Sequence, residues 1–334
     1  MTIRTLTWAH GSLEVQSLGG MLGPITFRLP DDRQASPMQV APWADEPGGE
    51  DLPGILRRLR GEWPCVPFGA DGPRDLPAGW VADGVSFESA EVPHGHSSNV
   101  DWDFDATDPD VIALTCTYPD SHPIKALNRS VRPDPEAAAI DVTLTVEARR
   151  PCRLPFGLHP TFRLPVSGTV DLIPPAFRQG RVFPLSVDPS SRLLPNATFA
   201  SLDAVPTLAG VPLSLSRLPL DSRNEELVQL CGVSGDVVLR YPGEGFQVRL
   251  GWNTVHLPSV LLWISNRGRA HAPWNGRHLA LGVEPVCSAF DLGPAVSTGT
   301  NPIAAASVAT AMDFAPDRPF NTSYRIAVEP VPEP

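Results

Sequence analysis

Two residues in this chain stand where a proton could be handed over. Glu284 follows the apolar run Leu279-Ala280-Leu281-Gly282-Val283 and is followed at once by Pro285. His159 is set in the same way, at the end of the apolar run Phe156-Gly157-Leu158 and directly before Pro160. Proline pushes the residue before it toward extended backbone, so each titratable side chain is predicted at the end of a stiff strand, where it can be aimed. Unperturbed carboxyl and imidazole groups titrate at about 4.3 and 6.5. Modest tuning would let one act as acid and the other as base near neutral pH, the equipment of general acid–base catalysis.

Other polar chemistry clusters in two places. Pro93–Trp102 reads PHGHSSNVDW, with His94 and His96 around Gly95 and Asn99 shortly after. The ordinary reading is a polar surface turn. If the segment is extended, His94 and His96 share a face, but two imidazoles leave a metal sphere incomplete, so no metal is expected. Arg57, Arg58 and Arg60 form a basic group beside the Pro-rich segment Trp63–Gly69. They are either a solvated edge or a source of one inward guanidinium, which would offer planar donors to hydroxyls or an anion. Cys287 and His159 have no spacing that supports a thiol–imidazole pair. There is no G-x-S-x-G elbow, no P-loop and no G-x-G-x-x-G after a strand.

The elements that must position these groups read as strands. Leu13–Leu18 and Met21–Leu29 flank Gly19-Gly20 as an opening hairpin. Val111–Tyr118, Ala139–Ala148, Leu227–Leu230, Val237–Arg240, Phe246–Trp252, Ser259–Ile264 and Asn321–Val328 are predicted strands, and Ala139–Ala148 alternates cleanly. Val85–Val92 alternates with one slip of phase and is also predicted as a strand, and Ile303–Met312 has a helical pattern. Trp263 is either a core residue of Ser259–Ile264 or an apolar platform for a ligand. With 39 prolines and 27 glycines among 334 residues, long helices have little room. No linker or repeat divides the chain. The expectation is all-β: one large antiparallel β domain spanning residues 1–334.

Composition narrows the partners. The net charge of −11 argues against nucleic acid as a ligand. No run approaches the roughly 18 apolar residues of a membrane span, and Met1–Gly11 lacks the apolar stretch of a signal peptide. The five cysteines are dispersed and odd in number, which fits reduced thiols and a cytoplasmic location better than a disulfide framework.

Five segments, in order, resemble the aldose 1-epimerase (galactose mutarotase-like) family. EVQSLGGMLGPITF resembles its GG hairpin, and GLHPTFRL resembles its histidine-bearing HPYF segment. LGVEPVCSAFDLG resembles its glutamate strand, in which EP is followed by an acidic residue. LRGEWPCVPFG and PHGHSSNVDW are similar to the RGGIPVxFPxFG and HGFARNxxW segments of the branch that includes hexose-6-phosphate mutarotases. The resemblance implies a β-supersandwich with an open sugar cleft and no cofactor. It implies that Glu284 takes the proton of the anomeric hydroxyl while His159 protonates the ring oxygen. It implies sugar contacts from Arg60 and His94, with Asn99 in the matching segment, and a further hydroxyl-binding carboxylate best placed at Asp221.

Departures bear on the substrate. Ser98 replaces the family's arginine and Glu62 a glycine, which favours a neutral aldose over a sugar phosphate. His96 replaces an aromatic residue and is a candidate ligand contact. The expected partner is a small sugar, and the expected assembly a monomer or homodimer. Two other functions fit the same residues: a non-catalytic carbohydrate-binding protein, or a carbohydrate enzyme of another reaction type. Hydrolysis needs a second carboxylate, for which the sequence offers no evident partner to Glu284.

Overall fold

The computed structural model describes residues 1–87, 90–105 and 108–331. It is built almost wholly of antiparallel strands, as expected. Nine strands form one sheet, in the spatial order Arg217–Leu218, Val170–Ile173, Val237–Tyr241, Phe246–Trp252, Phe320–Pro330, Ala139–Ala148, Ile124–Pro133, Ile112–Thr117 and Asp103–Phe104. A second sheet runs Thr198–Phe199, Gln179–Val182, Asn224–Cys231, Ser259–Asn266, Leu279–Cys287, Phe156–Leu158 and Pro64–Cys65, with Thr161–Arg163 also paired to Leu279–Cys287. Ile3–Trp8, Gly11–Gln16, Leu22–Arg28 and Gln34–Ala35 make a third, smaller sheet at the start of the chain.

The central strands of the second sheet are buried on both faces, which is why Ser259–Asn266 and Leu279–Cys287 read as apolar runs rather than alternating ones. Successive side chains still point to opposite faces. Val260, Leu262, Ile264, Leu281 and Val283 enter the main core with Ile140, Val142 and Leu144 of the nine-stranded sheet. Leu261, Trp263 and Val286 enter a separate cluster on the other face, with Trp63, Leu227 and Trp274. Burying a Leu or Val side chain stabilises by about 1.5–3 kcal/mol. A one-residue slip would expel Leu281 and Val283 together, so the main core fixes which face Glu284 occupies.

Two expectations change. Val85–Phe87 is not a strand; Glu88 and Ser89 lie outside the described residues, and Ala90–Val92 is turn. The predicted helix over Ile303–Met312 is a single turn, Pro302–Ala305, and Met312 begins a short strand on Cys152–Leu154. Asn301 caps that turn through its side chain, and the chain leaves it at Ser307 with φ of 58°. Pro93–Val100 is a series of turns, the ordinary of the two readings, with His94 at φ of 55°. His94 and His96 therefore do not share a strand face. All five cysteines are free thiols, four of them buried. Among the described residues no helix is long and apolar enough to cross a membrane.

Candidate active site

The strand Leu279–Cys287 does not end at Glu284, as the proline suggests; it runs on through Pro285. What breaks is its neighbour. Phe156 and Gly157 pair with Cys287 and Val286, and Thr161–Arg163 pair with Gly282, Leu281 and Ala280. The register is the same on both sides of the gap, so His159 stands opposite Glu284 across it. Pro160 and Pro285 each lack an N–H, which removes the two donors that would close the ladder there. The Val283 N–H still donates to the Pro160 carbonyl at 2.8 Å. The two prolines that flag the site in the sequence thus leave one ladder unzipped at one position.

Residues directly opposite on one sheet face hold their Cβ atoms about 4.5–5.5 Å apart. His159 Nε2 accordingly lies 3.4 Å from Glu284 Oε1. On its other side Glu284 pairs with Leu261, whose own partner is Gln229. In the next row toward the start of the strand lie Leu227, Trp263, Gly282 and Thr161. Gly282 is needed for close approach: a Cβ there would sit 2.4 Å from Glu284 Oε1 and 3.1 Å from the Trp263 Cβ.

His159, Glu284, Leu227, Leu261 and Trp263 floor a cavity of about 260 Å³. Pockets for drug-sized ligands are commonly about 300–1,000 Å³, so this one suits something smaller. His159, Glu284, His94 and Asp291 contribute its titratable lining, Arg269 its cationic lining, and Trp63, Trp263 and Trp274 its aromatic walls.

Burial sets the protonation states. The Trp63 indole stacks on the His159 ring, with centroids 4.1 Å apart and planes 17° apart. Burial, and next the neighbouring His94, hold His159 well below the ordinary imidazole value. Burial, and next the Asp291 carboxylate, push Glu284 well above the ordinary carboxyl value. Both shifts act in the same sense: they favour the uncharged pair, with the proton on Glu284 rather than on His159 Nε2. His159 then receives at Nε2 and keeps its own proton on Nδ1, which lies 3.2 Å from the Thr161 hydroxyl.

His94 reaches the cavity from the turn segment. Its Nδ1 accepts the Gly69 N–H at 3.3 Å, and burial lowers its pKa to about 4. The neutral ring therefore carries its proton on Nε2 and can donate it to an oxygen in the cavity. Gly95, at φ of 77°, lies so close to Val66 that a Cβ would sit 2.5 Å from its carbonyl oxygen.

Asn99 does not line the cavity; it ties the His94 turn together. Its Nδ2 donates to the carbonyls of Pro93 and Gly95, both at 2.8 Å, and its Oδ1 accepts the Ile55 N–H at 3.0 Å. Asn99→Ala is expected to cost about 1–3 kcal/mol of stability, from the stranded backbone groups. It should also raise the apparent KM for any ligand that His94 holds. Thermal denaturation beside ligand titration checks both.

Three other expected ligand contacts lie away from the lining. Arg60 is buried outside the lining, where its Nη2 donates to Asp45 at 2.7 Å and its Nε to the Arg58 carbonyl. His96 packs its ring on Tyr118 and sits 3.2 Å from the Thr117 carbonyl through Nε2. Asp221 is exposed on a loop. Ser98, where the family has an arginine, is wholly buried and donates to the His94 carbonyl at 2.7 Å. Glu62 does not face the cavity either; it is buried against Arg129 in an ion pair.

Trp63, Leu227, Leu261, Asp291 and Arg269 also line the cavity, without being singled out as site residues by the sequence. Asp291 had a signal, being the acidic residue of LGVEPVCSAFDLG. Gln229 brings it round: its amide donates to the Ser288 carbonyl and accepts the Phe290 N–H. Arg269 and Trp274 sat in a loop recognisable only as polar. Among the described residues no group of three or more His, Cys, Asp or Glu is placed to hold a metal ion.

No family model matches the sequence, and no curated protein matches it. Solved structures do match its shape. One is a provisionally assigned aldose 1-epimerase from Escherichia coli K12, with a TM-score of 0.66 at 15% identity and 99% of each chain covered. Another is a GalM/aldose epimerase homologue from C. elegans, with a TM-score of 0.63 at 11% identity and 99% of each chain covered. A third is a galactose mutarotase related enzyme from Lactobacillus acidophilus, with a TM-score of 0.59 at 14% identity, covering 98% of this chain and 97% of that one. From end to end, then, this chain has the galactose mutarotase-like fold.

Proposed function

We propose that the protein is an aldose 1-epimerase, interconverting the α- and β-anomers of a neutral hexose by opening and reclosing its ring. The observation that carries this is the His159–Glu284 pair, 3.4 Å apart in a cavity of monosaccharide size. A hemiacetal opens when a base takes the proton of its C1 hydroxyl while an acid protonates the ring oxygen. With the proton on Glu284, the carboxyl is the donor to the ring oxygen and His159 Nε2 the acceptor from the C1 hydroxyl, the reverse of the roles that the resemblance implies. Rotation about the C1–C2 bond and closure on the other face of the aldehyde then use the same two groups with roles exchanged. The single proton returns to the pair, so the cycle consumes nothing. His94 Nε2–H holds a sugar oxygen, and the indole faces offer apolar cover to the ring carbons.

Charge supports a neutral substrate. Arg269 is the one cation in the lining, and it lies 3.7 Å from the buried Glu225 carboxylate. Asp291 adds a carboxylate to the same lining. A phosphate would find no free guanidinium where Ser98 stands. Anomer exchange of glucose and galactose, followed by NMR against buffer and compared with their 6-phosphates, tests this. Acceleration for the free sugars supports the proposal; acceleration for none of the four rejects it.

The protonation states predict the pH profile. One proton on the pair is the working form. A second proton, on His159, arrives only below the ordinary imidazole value of 6.5. The shared proton leaves only well above the ordinary carboxyl value of 4.5. A plot of kcat/KM is therefore expected to have an acid limb below pH 6.5 and an alkaline limb displaced well above pH 4.5. A rate still climbing from pH 6.5 to 8 would contradict it.

One observation favours a different reaction. Glu284 and Asp291 line one cavity, which meets the two-carboxylate inventory of a glycoside hydrolase. Release of nitrophenol from nitrophenyl glycosides would reveal that chemistry.

A further inference from the structure

We propose that Arg269 is the specificity-determining residue of this cavity, and that it reads two adjacent hydroxyl oxygens on the sugar, at the end away from the anomeric carbon. The inference rests on the mutarotase reading and deepens it.

Arg269 is held rigidly but incompletely. Its guanidinium lies 4.5 Å over the Trp274 ring and 5.4 Å from the Trp263 ring. Its Nε stands 3.7 Å from Glu225 Oε2, within ion-pair range but beyond a hydrogen bond. The Glu225 oxygens are already engaged. Oε2 accepts from Trp263 Nε1 at 3.1 Å, and Oε1 accepts from the Ser265 hydroxyl at 2.7 Å. Among the described residues the terminal nitrogens of Arg269 make no hydrogen bond to protein, while the residue lines the cavity. A flat, clamped fork with free donors has the geometry to bridge two neighbouring oxygens.

Its position sets which oxygens. Trp263 touches both ends: its ring centroid is 6.0 Å from that of His159, and the Arg269 guanidinium lies 5.4 Å from the same indole. With C1 and the ring oxygen at the His159–Glu284 pair, only the remote carbons of a pyranose reach Arg269. Its charge is also spoken for. Glu225 lies beside it, and the positive charge of Arg269 is felt at Asp188 too. The fork is therefore set to read the geometry of hydroxyls, not an anion. A purely structural role, covering two tryptophans, would leave the same contacts but no dependence on particular hydroxyls.

The test pairs enzyme variants with deoxy sugars. The best hexose from the exchange screen, its mono-deoxy analogues, its 6-phosphate and its uronate are each titrated calorimetrically into wild type, R269M and R269K. Exchange rates are measured alongside. R269M is expected to weaken the parent hexose about tenfold, the scale of one or two lost charged hydrogen bonds. The loss should fall on KM rather than kcat. Removing either of two adjacent remote hydroxyls should weaken wild type similarly but weaken R269M no further. R269K should recover part of the affinity without the discrimination, because an ammonium is a point charge.

If R269M discriminates among the deoxy sugars as wild type does, the proposal is overturned. It is equally overturned if wild type prefers the uronate or the 6-phosphate and R269M loses that preference. Should R269M fail to fold, the deoxy series on wild type decides alone, since two adjacent remote hydroxyls must each matter. Binding that follows this pattern without any anomer exchange would reject the mutarotase reading and leave the role of Arg269 standing.

Discussion

Glu284→Gln is expected to lower anomer exchange by about 10²–10⁴-fold, the usual contribution of a positioned acid–base group. Gln keeps the shape and the hydrogen bonding but can neither hold nor release the working proton. The protein should stay folded, and the sign of the stability change can be stated. The native state raises the pKa of Glu284 above its unfolded value of 4.5. Below pH 4.5 the carboxyl is protonated in both states and contributes no difference. As pH rises from there toward the native value, the unfolded chain gives up a proton that the native site retains, so this group lowers stability. Glu284→Gln removes that loss. The variant should match the parent in Tm in mild acid and exceed it increasingly toward alkaline pH. An inactive variant less stable than its parent at every pH would mean that Glu284 is a structural residue.

The second large effect is expected at a residue with no side chain. Gly282→Ala would put a methyl group 2.4 Å from Glu284 Oε1 and 3.1 Å from the Trp263 Cβ. Both neighbours are buried and belong to adjacent rows of one sheet, so neither can yield freely. The carboxylate must rotate away from His159, and misplacing a catalytic group by about 1 Å commonly costs about 10²-fold in rate. Overpacking a tight interior also destabilises, typically by about 1–3 kcal/mol. The two effects separate on temperature: below its Tm the variant should be folded, bind sugar weakly and exchange anomers slowly. Wild-type exchange by folded Gly282→Ala would show that the Glu284 rotamer has no bearing on the rate.

The sequence carried the His159–Glu284 pair for a physical reason. Proline leaves a mark on the backbone that is visible without coordinates, and here Pro160 and Pro285 are also what hold the ladder open between His159 and Glu284. The strands came through equally well where one face is wet. Ala139–Ala148 alternates and was placed to the residue. Val85–Val92 alternates too, yet its described residues find no partner strand, because pairing is a long-range event that local pattern cannot guarantee.

Substrate contacts were the least legible. Arg60, His96 and Asp221 have suitable chemistry, but whether a donor is free depends on its neighbours. Arg60 lies outside the lining and donates to Asp45, forty-five being a position no local rule connects to sixty. Arg269 became visible only once Trp263, Trp274 and Glu225, from three separate segments, closed around it. Asn99 shows the converse. It stands in the resembling segment for a mechanical reason, holding the turn that presents His94.

The most direct measurement is to titrate one free hexose into the purified protein and record heat and anomer-exchange rate in the same series. The account predicts that both saturate at the same sugar concentration, and that His159→Gln abolishes the exchange while leaving the heat. Saturable binding with anomers exchanging no faster than in buffer would contradict the account, because the imidazole and the carboxyl would then share a cavity without passing a proton to what fills it.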